Sequence, residues 1–129
     1  MASRPREKEL TAPQRKELVD ALMGKRDELR AALRMRRQGA GATEERAGDE
    51  ADQASEDAEV ALETRLMDRD AKLLREVERA LEKVENNTYG FCEGTDEPIG
   101  YARLKIRPWT RYSVTYKEEL EREAKRQGG

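Results

Sequence analysis

The stretch Gly48-Asp49-Glu50-Ala51-Asp52-Gln53-Ala54 determines the fold that we predict for this chain. Its two aspartates stand three residues apart at the start of a long, highly charged segment with a heptad-like pattern of apolar residues. A similar segment precedes it, and glycines separate the two. Apolar positions at this spacing, with charges on the other faces, are typical of two helices that pack along a narrow seam. The sequence therefore predicts two antiparallel helices joined at an acidic tip.

The two helices are expected to span about residues 12–38 and 49–85. Thr11 and Gln14 are spaced as a capping box, in which each side chain accepts a hydrogen bond from the other residue's backbone amide. Apolar residues then recur at seam spacing, and we predict that they form core rather than a binding site. In the first helix they are Leu18, Leu22, Leu29 and Ala32; in the second they are Ala51, Ala54, Ala58 and Ala61 near the tip, and Leu66, Leu73, Val77, Ala80, Leu81 and Val84 near the base.

The segment after the second helix has a different composition. Residues 89–116 contain all four tyrosines, the only phenylalanine and the only tryptophan, interrupted by glycines and prolines that favour turns. We predict a short strand over Tyr101 to Ile106 and a last helix that begins near Tyr112 or Thr115. The predicted fold class is mostly α: a long antiparallel coiled-coil hairpin with a small finger-like globular lobe and a C-terminal helix. Its parts are a flexible N-terminus over 1–11, the coiled-coil arm over 12–86 with an acidic tip near 43–54, and the lobe with the last helix over 87–129.

Charge is unevenly distributed along the chain and argues against several classes of function. Residues 1–38 hold 11 basic and 6 acidic side chains, whereas residues 39–70 hold 3 and 11. A concentrated acidic patch disfavours nucleic-acid binding at the tip. The chain has no histidine and one cysteine, so we expect neither an enzyme nor an internal disulfide. There is no signal-peptide pattern and no run of about 20 apolar residues for a membrane span, so a cytoplasmic protein is expected.

A four-position pattern in the lobe has the spacing of a zinc finger but not its ligands. Cys92 and Thr95 are separated from Ser113 and Tyr116 by 17 residues, which matches a site built from two pairs of cysteines. Hydroxyl groups are poor zinc ligands compared with thiolates and imidazoles. The sequence therefore predicts that these positions bind no metal, that no zinc is present, and that aromatic packing holds the lobe together. Cys92 is then either a packed apolar residue or an oxidisable thiol.

Several motifs together resemble the DksA/TraR family of bacterial transcription factors. The tip string Asp49-x-x-Asp52-x-Ala54 precedes a long helical segment, and the lobe carries Tyr89-Gly-Phe-Cys92, Ile99-Gly100, Arg103-Leu104 and Arg107-Pro108. The chain is similar to the zinc-free members, in which the finger cysteines are largely replaced. The resemblance implies a regulator that binds RNA polymerase, passes its coiled coil down the secondary channel and changes the lifetime of promoter complexes.

The resemblance also implies roles for individual residues. The tip residues would be Asp49, Asp52 and Ala54; the residues that grip polymerase would be Arg65, Arg69 and Arg103; a ppGpp site shared with polymerase would use Leu73, Arg107 and Lys117. The family's helix lysine at that site is replaced here by Glu76, which puts a carboxylate opposite a polyanion. ppGpp is thus implied as a candidate co-effector in the stringent response, and RNA polymerase as the partner of a monomer without sequence-specific DNA binding.

Other interpretations of the acidic tip stay open. Asp49 could serve as an N-cap and Asp52 as a first-turn carboxylate favoured by the helix dipole, with no further role. A Gre-like factor, whose tip carboxylates hold Mg²⁺ and promote RNA cleavage, would share the hairpin. A passive coiled-coil adaptor would share the arm. The finger-like lobe favours the DksA-like regulator over both.

Overall fold

The structure, a computed structural model, describes residues 7–40 and 50–128, and within them the chain forms four helices. They are α1 (Ala12–Ala40), α2 (Glu50–Glu85), α3 (Tyr101–Ile106) and α4 (Val114–Gly128). α1 and α2 are antiparallel, because Arg30 pairs with Glu78 and Arg36 pairs with Asp70. The predicted fold class, mostly α and built on a long hairpin, is confirmed. Asp49 and the other residues of 41–49 lie outside the described residues.

Local signals set the outer ends of both long helices. The Thr11 amide donates to Gln14 Oε1 at 3.0 Å and the Gln14 amide donates to Thr11 Oγ1 at 3.3 Å, which confirms the predicted capping box. At the end of α2, Asn87 takes a φ of 60° and the Thr88 amide donates to the Lys83 carbonyl at 2.9 Å. A left-handed residue with this backward hydrogen bond is a common way to close a helix, and it turns the chain into the lobe.

The apolar seam of the hairpin lies in the lower part of the arm. Its leucines pack against small and β-branched residues of α2, and Leu33 rather than the predicted Ala32 is the buried residue of that turn. Removing apolar surface from water contributes about 25 cal/mol per Å² to the free energy of folding. This burial along the seam is the main term that holds the two helices of the arm together. The buried seam residues are Leu18, Leu22, Leu29, Leu33, Val77 and Ala80.

The tip half of α2 does not form the small-residue packing that the sequence suggested. Ala54, Ala58 and Ala61 are exposed, so this part of the core prediction is wrong for the residues that are described. The reason is that α1 ends at Ala40. Continuing the Arg36–Asp70 pairing by one turn puts that end beside about residue 66 of α2. α2 therefore extends beyond α1 by about 15 residues, or about 20 Å.

The lobe packs directly on the base of the hairpin and shares its core. Tyr89, Cys92, Ile99 and Leu104 join the seam residues in one buried cluster. The Tyr89 hydroxyl donates to the Pro108 carbonyl at 2.8 Å, and burial raises the pKa of this phenol. Because one core spans both parts, the lobe holds the arm in a defined direction.

Tyr101 to Ile106 form helix α3, so the predicted strand is wrong. Tyr101 and Leu104 are three residues apart and both face the core, whereas Ile106 is 85% exposed. The apolar residues thus follow helical spacing instead of strand alternation. The Tyr101 hydroxyl also donates to the Glu17 carboxylate, which joins α3 to α1.

We expect Gly90→Ala to lower the free energy of unfolding by about 1–3 kcal/mol, because Gly90 has a φ of 94° that other residues rarely adopt. An added Cβ would also lie 3.0 Å from Leu10 Cδ1. Gly24→Ala is the control: nothing lies within 4 Å of its Cβ inside α1, so stability should rise by about 0.5–1 kcal/mol. Urea unfolding measures both changes, and a Gly90→Ala variant as stable as the parent would contradict the assignment of strain.

Candidate functional site

The acidic tip lies on the part of α2 that extends past α1. Asp52 is the third residue of α2 and is exposed, as is Ala54, whereas Asp49 lies outside the described residues. The positive end of the helix dipole favours a carboxylate in this first turn. Asp52 therefore stands near the far end of the arm, about 20 Å beyond the last described residue of α1.

The three arginines that the resemblance assigned to polymerase binding have different surroundings. Arg65 and Arg69 are exposed and stand four residues apart, so they share one face of α2 in the middle of the arm. Arg69 also lies 3.4 Å from Asp70. Arg103 lies in the lobe, where its Nε donates to the Tyr112 carbonyl at 3.0 Å and ties α3 to the segment before α4. Arg103 therefore has a structural contact that the sequence did not indicate.

The residues assigned to the ppGpp site lie on the base of the arm and on the lobe. Leu73 packs against the core, Arg107 follows α3 and is exposed, and Lys117 is exposed in the first turn of α4. Glu76 faces a shallow groove between α2 and the lobe. Cationic side chains also line this groove. Arg75 is one of them, although it lies about 100° from Glu76 around α2. Its lining residues are Lys72, Arg75, Glu76, Glu78, Arg79, Glu82 and Arg111.

Sequence reasoning missed a cluster of charges that joins the lobe to α2. Glu93, whose side chain is 18% exposed, pairs with Arg79, with Arg111 at 3.0 Å and with Lys83 at 3.8 Å. Burial raises the pKa of the Glu93 carboxyl, but hydrogen bonds from the two arginines and the charge of Lys83 outweigh this and bring the pKa to about 2. Arg79 and Lys83 lie one turn apart on α2, which the sequence does show, but their partner is set by the lobe.

The four positions of the zinc-finger pattern include a buried thiol with polar neighbours. Cys92 is 0% exposed, and burial raises the pKa of its thiol, but hydrogen bonds with Thr95, Ser113 and the Gly94 backbone outweigh burial and lower that pKa. The Tyr116 amide donates to Ser113 Oγ at 3.2 Å, and the Tyr116 ring covers Gly94. The two turns of the finger pattern are therefore brought together, as the spacing suggested.

Comparisons with known proteins agree along most of the chain. Residues 14–84 match the family model "DnaK suppressor protein DksA, N-terminal domain", and residues 87–122 match "Prokaryotic dksA/traR C4-type zinc finger". The structure of transcription factor DksA2 from Pseudomonas aeruginosa superposes with a TM-score of 0.77 at 35% identity, over 88% of each chain. A regulator from Chlamydia trachomatis, described as an RNA polymerase binding protein, shares the fold at 23% identity, with a TM-score of 0.53 over 89% of this chain and 95% of that one.

Among curated sequences, the RNA polymerase-binding transcription factor DksA of Caulobacter vibrioides is 48% identical over 58 residues. That alignment covers 45% of this chain and 41% of the relative, so it spans less than half of either protein. None of the helices in the described part of the chain is long and apolar enough to cross a membrane.

The match over residues 87–122 corrects the prediction that no zinc belongs to this lobe, because the matched family is a C4-type zinc finger. The four positions with zinc-finger spacing are Cys92, Thr95, Ser113 and Tyr116, and among them only Cys92 offers a donor that zinc prefers. Among residues 7–40 and 50–128, no three His, Cys, Asp or Glu side chains form a metal-binding group. The donor set present here does not fit the four-cysteine site of the family.

Proposed function

The chain belongs to the DksA/TraR family, and we propose that it is a transcription regulator that binds RNA polymerase and changes the stability of promoter complexes. It acts as a monomer in the cytoplasm, where its arm enters the secondary channel of the enzyme and its tip approaches the active centre. It is a regulator without an enzymatic activity of its own, and it recognises polymerase rather than a DNA sequence.

The observation that carries this proposal is the extension of α2 beyond α1 with Asp52 at its end. α2 has 36 residues, so it is about 54 Å long. The lobe stays outside the channel as a stop, because its core is continuous with the base of the arm. Near the active centre, a carboxylate acts through charge on basic groups or on the environment of the catalytic Mg²⁺.

Contacts along the arm and lobe would then supply affinity, while the tip supplies activity. Arg65 and Arg69 on one face of α2 suit an acidic or polar wall of the channel. We assign Arg103 a smaller direct part, since its guanidinium already donates to the Tyr112 carbonyl. Asp49, Asp52 and Ala54 form the active tip in this proposal.

Measuring the lifetime of promoter complexes tests the proposal. Purified bacterial RNA polymerase is bound to a short-lived promoter and challenged with competitor DNA, with and without the protein. We expect the protein to shorten the half-life of the complexes and to leave the length of RNA in stalled complexes unchanged. Shortened RNA would instead support a Gre-like cleavage factor, and an unchanged half-life would contradict the proposed function.

The response to ppGpp should be weak in the parent protein and should increase in Glu76→Lys. A carboxylate about 4 Å from a phosphate at an effective dielectric near 20 gives a gross repulsion of about 4 kcal/mol. Screening lowers this, yet about 1.4 kcal/mol still changes affinity tenfold. Promoter inhibition is measured across a ppGpp titration, with polymerase that lacks its own alarmone site.

The matched control for this substitution is Glu85→Lys, the same change of charge at an exposed position near the end of α2. Glu85 does not line the groove, so Glu85→Lys should leave the ppGpp response as it is in the parent. If ppGpp strongly increased promoter inhibition by the parent protein, or increased it equally in both variants, Glu76 would not oppose the alarmone. Arg75 would then be the cation that compensates.

A further inference from the structure

The seam between α1 and α2 changes from apolar to charged at its tip end. Leu22, Leu29 and Arg36 are spaced by seven residues on α1, so Arg36 occupies the position that the leucines occupy lower in the arm. On α2, Asp70, Val77 and Val84 are also spaced by seven residues. Arg36 and Asp70 therefore form one layer of the coiled coil, made of charges where its neighbours are aliphatic.

In this layer the Asp70 carboxylate is buried and the Arg36 side chain is 23% exposed. Arg36 Nη1 lies 2.6 Å from Asp70 Oδ2, and Asp70 is 6% exposed. Arg36 Nε also lies 3.4 Å from Glu63 Oε2, one heptad closer to the tip. Among residues 7–40 and 50–128, Asp70 stands out as the buried charged residue. The pair Arg30–Glu78 joins the same two helices at 3.0 Å, but both of its side chains are about half exposed.

Buried pairs of this kind contribute little net stability, because desolvation offsets their attraction, but a polar layer can fix the register of a coiled coil. If α2 moved by one heptad in one direction, Arg36 would face Val77; in the other direction, Asp70 would face Leu29. Either shift would leave a buried charge against an aliphatic side chain. The observed register is the one that pairs both charges.

We infer that the Arg36–Asp70 pair is a positioning device that fixes the hairpin register at its last shared layer and so sets how far Asp52 lies beyond the end of α1. Its consequence for activity rests on the proposed function. A shift of one heptad would move the tip by about 10 Å relative to α1. The competing explanation is that the base alone fixes the register, since Arg15 Nη2 donates to the Val84 carbonyl there at 3.0 Å.

Replacing both charges by leucine separates positioning from stability. Arg36→Leu with Asp70→Leu gives an apolar layer that should melt at the same temperature as the parent or higher. The matched control is Arg30→Leu with Glu78→Leu, which removes the exposed pair between the same helices. A second test variant, Arg36→Asp with Asp70→Arg, keeps the pair in reverse. Register is measured by the distance between spin labels at Asp20→Cys and Thr64→Cys, both exposed and far apart along the arm, while Cys92 is buried and stays unlabelled.

We expect one narrow distance distribution in the parent, in the control and in the reversed pair. The double leucine variant should show a second population displaced by about 10 Å. It should also lose at least about tenfold of its effect on promoter complexes, since errors in position of about 1 Å can cost up to about 100-fold.

An unchanged distance distribution in the double leucine variant would overturn the inference and assign the register to the base. If the label distances shift in that variant but its effect on promoter complexes is unchanged, the proposed link between register and activity is wrong. If the parent itself has no effect on polymerase, the proposed function fails, but the distances still decide whether the pair fixes the register.

Discussion

Asp52→Asn should abolish the shortening of promoter-complex half-life while leaving the affinity for polymerase nearly unchanged. Asp52 lies on the exposed projection of α2, away from the seam and the lobe that hold the fold together. The substitution keeps the size of the side chain and removes its charge, so an effect that depends on the charge near the active centre should be lost. Half-life is measured by competitor challenge, and affinity by displacement of labelled parent protein.

The control for Asp52→Asn is Asp57→Asn, which makes the same change at an exposed position of the same helical segment. Asp57→Asn should retain the activity of the parent. If Asp52→Asn also retains it, the tip has no role of its own and the arm is a passive adaptor. If affinity falls as far as activity does, Asp52 contributes to docking instead.

Glu93→Gln should give the largest loss of stability of any single charge removal in the lobe, about 2–3 kcal/mol. The folded state lowers the pKa of this carboxyl from 4.5 to about 2, which corresponds to about 3 kcal/mol of interaction. Removing the negative charge also leaves Arg79, Lys83 and Arg111 close together without it. Glu97→Gln is the control, since Glu97 is an exposed residue of the same turn region.

The stability difference between the parent and Glu93→Gln should depend on pH. Because the folded-state pKa of Glu93 lies below its unfolded value, its contribution is complete above about pH 5 and is lost as the pH falls toward 2. The difference in unfolding free energy between the parent and Glu93→Gln should therefore narrow over that range. Urea titrations at several pH values measure it, and a constant difference would show that the carboxylate stabilises the lobe by packing rather than by charge.

The ends of the long helices could be predicted because their signals are local in the sequence. Thr11 and Gln14 interact across three residues, and α2 ends at Glu85, where the sequence predicted it, with Asn87 in a left-handed conformation just beyond. The strand predicted over Tyr101 to Ile106 was wrong because a six-residue apolar run is ambiguous. Its state is decided by the base of α1, against which Tyr101 packs.

Interactions between distant segments were the part that the sequence did not reveal. Arg36 and Asp70 are 34 residues apart, and although heptad spacing places each on the seam of its own helix, their pairing appears only once the register of the hairpin is known. Arg103 was assigned to a partner, although its guanidinium meets the Tyr112 carbonyl within the lobe. The extension of α2 past α1 depends on where α1 ends relative to its partner, which heptad spacing does not determine.

The zinc prediction failed for a different reason. It judged the lobe by the identity of four side chains, of which only Cys92 is a cysteine. The family match spans residues 87–122, and the matched family is a C4-type zinc finger. The lobe therefore matches the zinc-finger family over its length, although it retains only one of the four cysteine ligands.

Crosslinking from the tip tests most directly whether the arm delivers Asp52 to the polymerase active centre. A photoreactive phenylalanine derivative replaces Gln53, which is exposed beside Asp52, and a second protein carries it at Ile106, which is 85% exposed on the lobe. Irradiated complexes with RNA polymerase are then mapped by mass spectrometry. We predict that Gln53 crosslinks to the segment that holds the catalytic Mg²⁺ and that Ile106 crosslinks outside the channel. Crosslinks from Gln53 to the outer surface of polymerase, or to no polymerase subunit, would contradict the account.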